Sequence, residues 1–355
     1  MTAEHALRRD LLQELLRTYG PCGQEDAVRD VCRRELTPYV DEVWVDEAGN
    51  LVGLKRGVDA EGPVTRVMSH MDELSMLVKR IDGDGTLHMT PLGTMYPGNF
   101  GLGPVAILGD RETVCGVLTL GSEHTTKESR QIWETKPDQG DKALDWLHVY
   151  VFTGHTPEEL AGAGVRPGTR ACVDASKRTL IDVGADYLGC YFLDDRAAVT
   201  ALLDTACRLA ETDRKPKGDT YFVFTTSEEV GGVGGSYASH TLPGDLTLAL
   251  EVGPTESEYG TTCSGGPIVA YSDAEGVYDK AVADRLLEVA TKLELSPQAA
   301  VLGAFESDAS HAKGGGLTPR AGLLCLPTLS THGYEVIARR AIPDMSAVLV
   351  EFLAG

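Results

Sequence analysis

The apolar positions of this chain change period several times, and each change marks an element. Leu11, Leu12, Leu15 and Leu16 recur at helical spacing, so residues 4–36 read as two helices split by "GPCGQE". A period of two takes over in "VDEVWVDEAGNLVGLKR", where Val40, Val43 and Val45 lead to a hairpin turn at Gly49-Asn50. "VTRVMSHMDE" then reads as a strand running into His70 and Asp72.

From about residue 76 to 180 the texture differs. Short β-like pieces ("GTLHMTPL", "VAILGD", "TVCGVLTLG", "TRACVD", "RTLIDVG") lie between glycines, and the polar stretch 122–142 reads as an exposed loop or helical excursion. Afterwards α/β alternation resumes. A helix over 195–211 turns Ala198, Leu202, Leu203 and Leu209 inward, and "TYFVFTT", "DLTLALEVG" and "AGLLCLPT" read as strands. "YDKAVADRLLEVATKLEL" reads as a helix, and "YEVIARRAIPDMSAVLVEFLA" as a helix carrying one proline. The pattern predicts an α/β domain made from residues 1–75 and 181–355, interrupted at 76–180 by a small inserted β-rich domain.

Composition narrows the function. With 42% hydrophobic and 24% charged residues over 355 positions, the chain is long enough for a sizeable core. A net charge of −21 argues against nucleic acid and anionic membranes as partners, since both need a basic face. No apolar window is long enough to span a bilayer, and the charged N-terminus does not read as a signal peptide. The eight cysteines form no CxxC pair, which predicts free thiols in a reducing cytoplasm.

The candidate chemistry is concentrated at strand ends. His70 and Asp72 follow "VTRVMS"; Asp194 and Asp195 follow "GCYFL"; Glu228 and Glu229 follow "YFVFTTS"; Glu251 follows "LTLAL"; His332 follows "AGLLCLPTLST". Taken singly, each has an ordinary explanation: a hydrogen-bonded histidine, an Asp-Asp helix cap, a solvated acidic turn. Together they deliver six carboxylates and two imidazoles to the edge of an α/β sheet where ligands bind. Such a cluster repels itself unless protons or cations hold it. Oxygen and nitrogen donors without thiolates suit zinc, cobalt or manganese. Two such ions about 3.5–4 Å apart are a familiar hydrolytic pair. The chain has no HExxH, P-loop or GxSxG motif, and the glycine spacing of "EVGGVGGS" does not fit a dinucleotide site. A two-carboxylate glycosidase would leave His70 and His332 without a role.

These motifs resemble the tetrahedral (TET-type), glutamyl-aminopeptidase-like dinuclear zinc aminopeptidases. "SHMDELSMLV", "FLDDRAA", "TTSEEVGGVGG" and "LPTLSTHGYEVI" match the family's metal-site segments in order. "GPCGQEDAVRDV" and "VFTGHTPEELAGAGVRPGT" match its N-terminal turn and the return from its inserted domain. The resemblance implies a mixed central sheet flanked by helices. It also implies that His70, Asp194 and Glu251 hold one metal and that Asp194, Glu229 and His332 hold the other, with Asp194 bridging. Glu228 becomes the general base and Asp72 the orienter of His70. The family carries Asp at the position of Glu251, and Ser-Pro where this chain has Gly333-Tyr334.

The expectation is a cytoplasmic aminopeptidase that releases N-terminal residues from peptides by attack of a metal-bridging water. Its cofactors are two divalent ions per chain, zinc first and cobalt or manganese as alternatives. It self-associates, as a dimer at least and a dodecamer by family resemblance, through the inserted domain. Two other readings stay open: a two-metal deacylase of N-acyl amino acids, and a catalytically weak paralogue that binds peptides or metals. His311 and Lys313 are candidate substrate-pocket residues, and His124 reads as a surface histidine.

Overall fold

The helical spacing near the N-terminus becomes Arg9–Arg17, which buries Leu11, Leu12, Leu15 and Leu16, followed by Asp26–Leu36. The structure is a computed structural model that describes residues 7–138 and 140–355; residues 4–6 of the predicted first helix lie outside it. The described chain divides into two units. The larger comprises residues up to Glu73, Leu180–Thr331 and Glu335–Gly355; the smaller comprises Leu74–Thr179 and His332–Tyr334.

Eleven strands of the described residues form one mixed sheet in the larger unit. From one edge the order is Glu42–Val45, Leu51–Lys55, Thr220–Thr225, Thr65–His70, Leu246–Pro254, Ala321–Leu329, Tyr334–Ala338, Tyr187–Tyr191 and Ile181–Val183. Ile268–Ser272 branches from Ala321–Leu329 and carries Gln298–Val301. The four strands from Thr220–Thr225 to Ala321–Leu329 run parallel, and the hairpin partners beyond them are antiparallel. These central strands are buried along nearly their whole length, because helices cover both faces. That is why their apolar residues run continuously instead of alternating.

The helix Leu193–Glu211 is buried almost end to end, packing on the sheet and against Ala341–Ala354. Val233–Thr241 packs against the short helix Asp308–Gly314. Among the described residues, no helix is long and apolar enough to cross a membrane.

The smaller unit is a closed six-stranded barrel in the order Ser75–Ile81, Leu87–Leu92, Tyr150–Phe152, Thr113–Thr119, Gly103–Leu108, Arg170–Val173. Thr113–Thr119 alternates exposed and buried residues, as a barrel wall requires, and closure leaves no free strand edge. The 122–142 stretch contributes one short helix, Arg130–Glu134, and is otherwise irregular where described.

Two expectations change. The predicted helix over 334–354 is a strand, Tyr334–Ala338, followed by a helix, Ala341–Ala354. "YEVIA" buries Glu335 and Ile337 alternately and pairs with Thr328 and Leu329, so the period of two wins there. Pro343 sits in the helix's first turn, where amides have no intrahelical acceptor and the missing N–H costs nothing. The piece "RTLIDVG" also leaves the β-rich block: Ile181–Val183 pairs with Tyr187–Tyr191 at the edge of the large sheet.

Candidate active site

Strand register places the first group of site residues. In the parallel pairing, Thr225 stands opposite His70 and Ala249 opposite Met68, so Glu251 reaches the level of His70. His70 ends its strand. Glu251 does not, because its strand continues to Pro254. The Asp194–Asp195 pair comes from the turn after Tyr187–Tyr191, across a cis peptide bond.

The side chains converge. His70 Nε2 lies 3.0 Å from Asp194 Oδ1 and 3.8 Å from Glu251 Oε1. Each of His70, Asp194, Asp195 and Glu251 offers a buried donor atom within 4.8 Å of the others. Asp195 accepts from the Ser69 hydroxyl at 2.5 Å and the His70 amide at 3.2 Å through Oδ2, while its buried Oδ1 has no hydrogen-bond partner among the described residues. His70 Nδ1 lies 3.1 Å from the Asp72 carbonyl, which can only accept. The proton therefore belongs on Nδ1, and the Nε2 lone pair faces the carboxylates. An imidazole lone pair and an orphan carboxylate oxygen among oxygen donors fit a divalent cation.

The Glu228-Glu229 segment is fixed by Asp72. Its carboxylate accepts the Glu228 amide at 2.9 Å through Oδ1 and the Glu229 amide at 3.1 Å through Oδ2. It also stands 3.5 Å from His70 Nδ1, so the predicted orientation of His70 comes from its carbonyl first and its carboxylate second. Glu229 and Asp194 bring carboxylate oxygens within 4.8 Å of each other. The Asp194 amide donates to Glu335 at 2.9 Å, a partner missed in the sequence because residues 334–338 read as helix. His332 lies in the turn before Tyr334–Ala338, with Nδ1 2.6 Å from the Thr94 carbonyl. Its Nε2 is thereby left as the acceptor nitrogen.

Burial raises the proton affinity of this cluster when only the protein's own charges surround it. Desolvation pushes Glu251 and Asp195 well above the usual carboxylate range; neighbouring carboxylates add to it and His70 opposes it. Glu228, half-buried, is raised by desolvation and by repulsion from Asp308, Glu229 and Asp72, against His70. Desolvation works against a charged His70, but Glu251, Asp194 and Asp72 outweigh it and hold its pKa well above the ordinary value. Asp72 is also buried, yet His70 and the amide donors keep it below its usual value. Cations would replace the protons that the other groups hold.

Four supporting residues were given no role from the sequence, although Arg196, Glu73 and Glu25 lie within its matched motifs. Arg196 pairs with Glu73 at 2.9 Å, with both side chains fully buried. Glu25 is buried and accepts from the Ser227 amide at 3.2 Å. Asp308 is buried, accepts from the Thr225 hydroxyl at 2.5 Å, and is pushed up to about 6, mainly by desolvation. His311 packs its ring against Gly232 and faces Glu306 at 3.3 Å; His124 is exposed.

A mixed sheet that gathers buried histidine and carboxylates at its strand ends, with a barrel inserted in the chain, defines a metal-dependent hydrolase. Residues 49–348 match the family model for the M42 glutamyl aminopeptidases, and the chain belongs to that family. It is a metallo-aminopeptidase by that membership. A putative aminopeptidase of Acetivibrio thermocellus is 27% identical over 352 residues, spanning 96% of this chain and 97% of the relative. The lysyl aminopeptidase of Pyrococcus furiosus is 26% identical over 245 residues, 68% of this chain and 66% of its own length. The solved Pyrococcus horikoshii TET1 peptidase, described as assembling into a tetrahedron or a large octahedral shell, superposes with a TM-score of 0.82 at 22% identity, covering 97% of this chain and 98% of its own. At that identity the superposition speaks to the fold.

Proposed function

We propose that this chain is a two-metal aminopeptidase that works in the cytoplasm and releases N-terminal residues from peptides. The observation that carries the reading is the buried quartet His70, Asp194, Asp195 and Glu251, beside a Glu228 whose backbone Asp72 holds. His70, Asp194 and Glu251 are assigned to one ion; Asp194, Glu229 and His332 to the other, following the family resemblance. When bound, zinc, cobalt or manganese ions supply Lewis acidity toward water and toward the scissile carbonyl.

The chain's own groups do the rest. Glu228 takes a proton from the attacking water and returns it to the departing amine nitrogen, a role suited to a half-buried carboxylate of raised pKa. Asp72 holds the Glu228 and Glu229 amides and keeps the His70 proton on Nδ1. The cysteines form no disulfide among the described residues, in keeping with a reducing compartment. We assign self-association to the smaller unit, as a dimer at least and a dodecamer by resemblance. Its exposed Leu147 (75%) and Tyr96 (67%) are the apolar side chains that an interface would cover.

The test is metal content together with hydrolysis of aminoacyl-4-nitroanilides and their N-acetylated forms. Two ions per chain with cleavage of free-amine substrates alone is expected. Cleavage of only the acylated forms would make the enzyme a deacylase. No metal and no rescue by zinc or cobalt would leave a binding paralogue.

A further inference from the structure

Three consecutive backbone amides, those of Ser227, Glu228 and Glu229, all donate to buried carboxylates. Asp72 takes the last two, and the first goes to Glu25 Oε1, at 3.2 Å. The same oxygen accepts the Ser227 hydroxyl at 3.3 Å and the Gly23 amide at 2.7 Å. Glu25 is only 3% exposed, so a buried anion has been placed where it meets one backbone segment from the N-terminal turn and one from the site.

Ser227 needs such a partner. Its φ is +53°, a left-handed conformation that a side-chain-bearing residue adopts at a cost unless its surroundings impose it. Ser227 immediately precedes Glu228, so its backbone angles decide where the Glu228 side chain points. The following turn holds this segment by its carbonyls: Gly231 and Gly232 donate to the Glu228 carbonyl, Val233 to that of Ser227 at 3.3 Å and Gly234 to that of Thr226 at 2.9 Å, which leaves the Ser227 amide and hydroxyl to Glu25. The N-terminal turn is anchored in its own right. Pro21 bridges to Glu73, the Glu73 amide donates to the Gly20 carbonyl at 3.0 Å, and Cys22 Sγ lies 3.1 Å from Asp72 Oδ2.

We propose that Glu25 is a positioning residue for the hydrolytic reaction: its carboxylate clamps the left-handed Ser227 onto the N-terminal turn and thereby aims Glu228 at the reacting water. The hydrogen bonds of the Glu25 carboxylate run to Gly23 and Ser227, so it acts on Glu228 through Ser227. The proposal rests on the reading of Glu228 as the base, so its test carries a separate check of that reading.

The experiment compares kcat, KM, metal content and thermal unfolding of the metal-loaded wild type with those of Glu25→Gln, Glu25→Asp, Glu25→Ala and Glu228→Gln. The substrate is whichever aminoacyl-4-nitroanilide the wild type cleaves fastest. Glu25→Gln keeps an acceptor oxygen at full reach and is expected to stay within about threefold of wild type. Glu25→Asp retracts the carboxylate by one methylene and Glu25→Ala removes it. Both are expected to lose kcat, by roughly 10- to 100-fold for the alanine, at near-normal KM and full metal content. Glu25→Asp carries the test if the alanine variant does not fold. Normal kcat in Glu25→Asp, equal losses in the Gln and Asp variants, or losses that track metal content would overturn the clamp. If Glu228→Gln keeps its turnover, the base assignment fails instead, whatever Glu25 does.

Discussion

Arg196 Nη2 stands 2.9 Å from Glu73 Oε2, and neither side chain reaches solvent. Arg196 follows directly on Asp194-Asp195, and it also donates to the carbonyls of Met71 and Leu15. One guanidinium therefore ties the acidic start of a helix to the segment carrying His70 and Asp72, and both to the first helix. Gly20 lies so close that a Cβ there would meet Arg196 Nη2 at 2.7 Å.

Breaking that pair takes the guanidinium away from a fully buried carboxylate. Arg196→Met is expected to lower unfolding free energy by about 3–5 kcal/mol in urea titration. Arg196→Met/Glu73→Leu, which removes both charges, is expected to recover at least half of the loss. A single variant as stable as wild type would mean that the pair contributes little.

Glu228→Gln keeps the shape of the side chain and removes its capacity to accept a proton. The expected outcome is unchanged metal content by elemental analysis with kcat reduced by about 10²–10⁴-fold. Near-normal turnover would place the base elsewhere.

Chelation is expected to abolish activity, lower the melting temperature, and be reversed by zinc, cobalt or manganese. The metal-free protein should also respond to pH in a particular sense. Glu251, Asp195, Glu228 and His70 all hold protons more tightly folded than unfolded. Their contribution is complete below the unfolded pKa values and falls as pH rises through the folded ones. Asp72, lowered, acts oppositely and alone among the five. Calorimetry across pH 5 to 8 should show the chelated protein losing stability as pH rises. The metal-loaded enzyme should do the reverse at the acid end, where protons compete for the ligands.

Asp308 supplies a second pH signature. Burial pushes its carboxyl up to about 6 in the folded chain, from an ordinary value of 3.8. Folding stability from this group is complete below the lower value and declines until pH passes the upper one. Asp308→Asn, which can still accept from Thr225, removes that slope. The variant should gain on the wild type between pH 4 and 6, by on the order of 2–3 kcal/mol at neutrality. Parallel stability curves would show that the carboxyl does not titrate as described.

The sequence by itself determined the α/β alternation, the β-rich interruption and the residue types at the strand ends. Those depend on local period and on chemistry that has few other uses, such as "HMD", "DD" and "EE" placed after apolar runs. It could not settle elements whose partners are remote. Tyr334–Ala338 reads as helix until Thr328 and Leu329 are beside it, and Tyr150–Phe152 has too few residues to announce a strand alone. Only the tertiary structure decided that Glu251 sits mid-strand at the level of His70, because parallel register is a relation between segments. Tertiary structure likewise decided what Glu25, Glu73, Arg196 and Asp308 pair with. A buried charge shows no pattern along the chain; its meaning lies in the partner that folding brings to it.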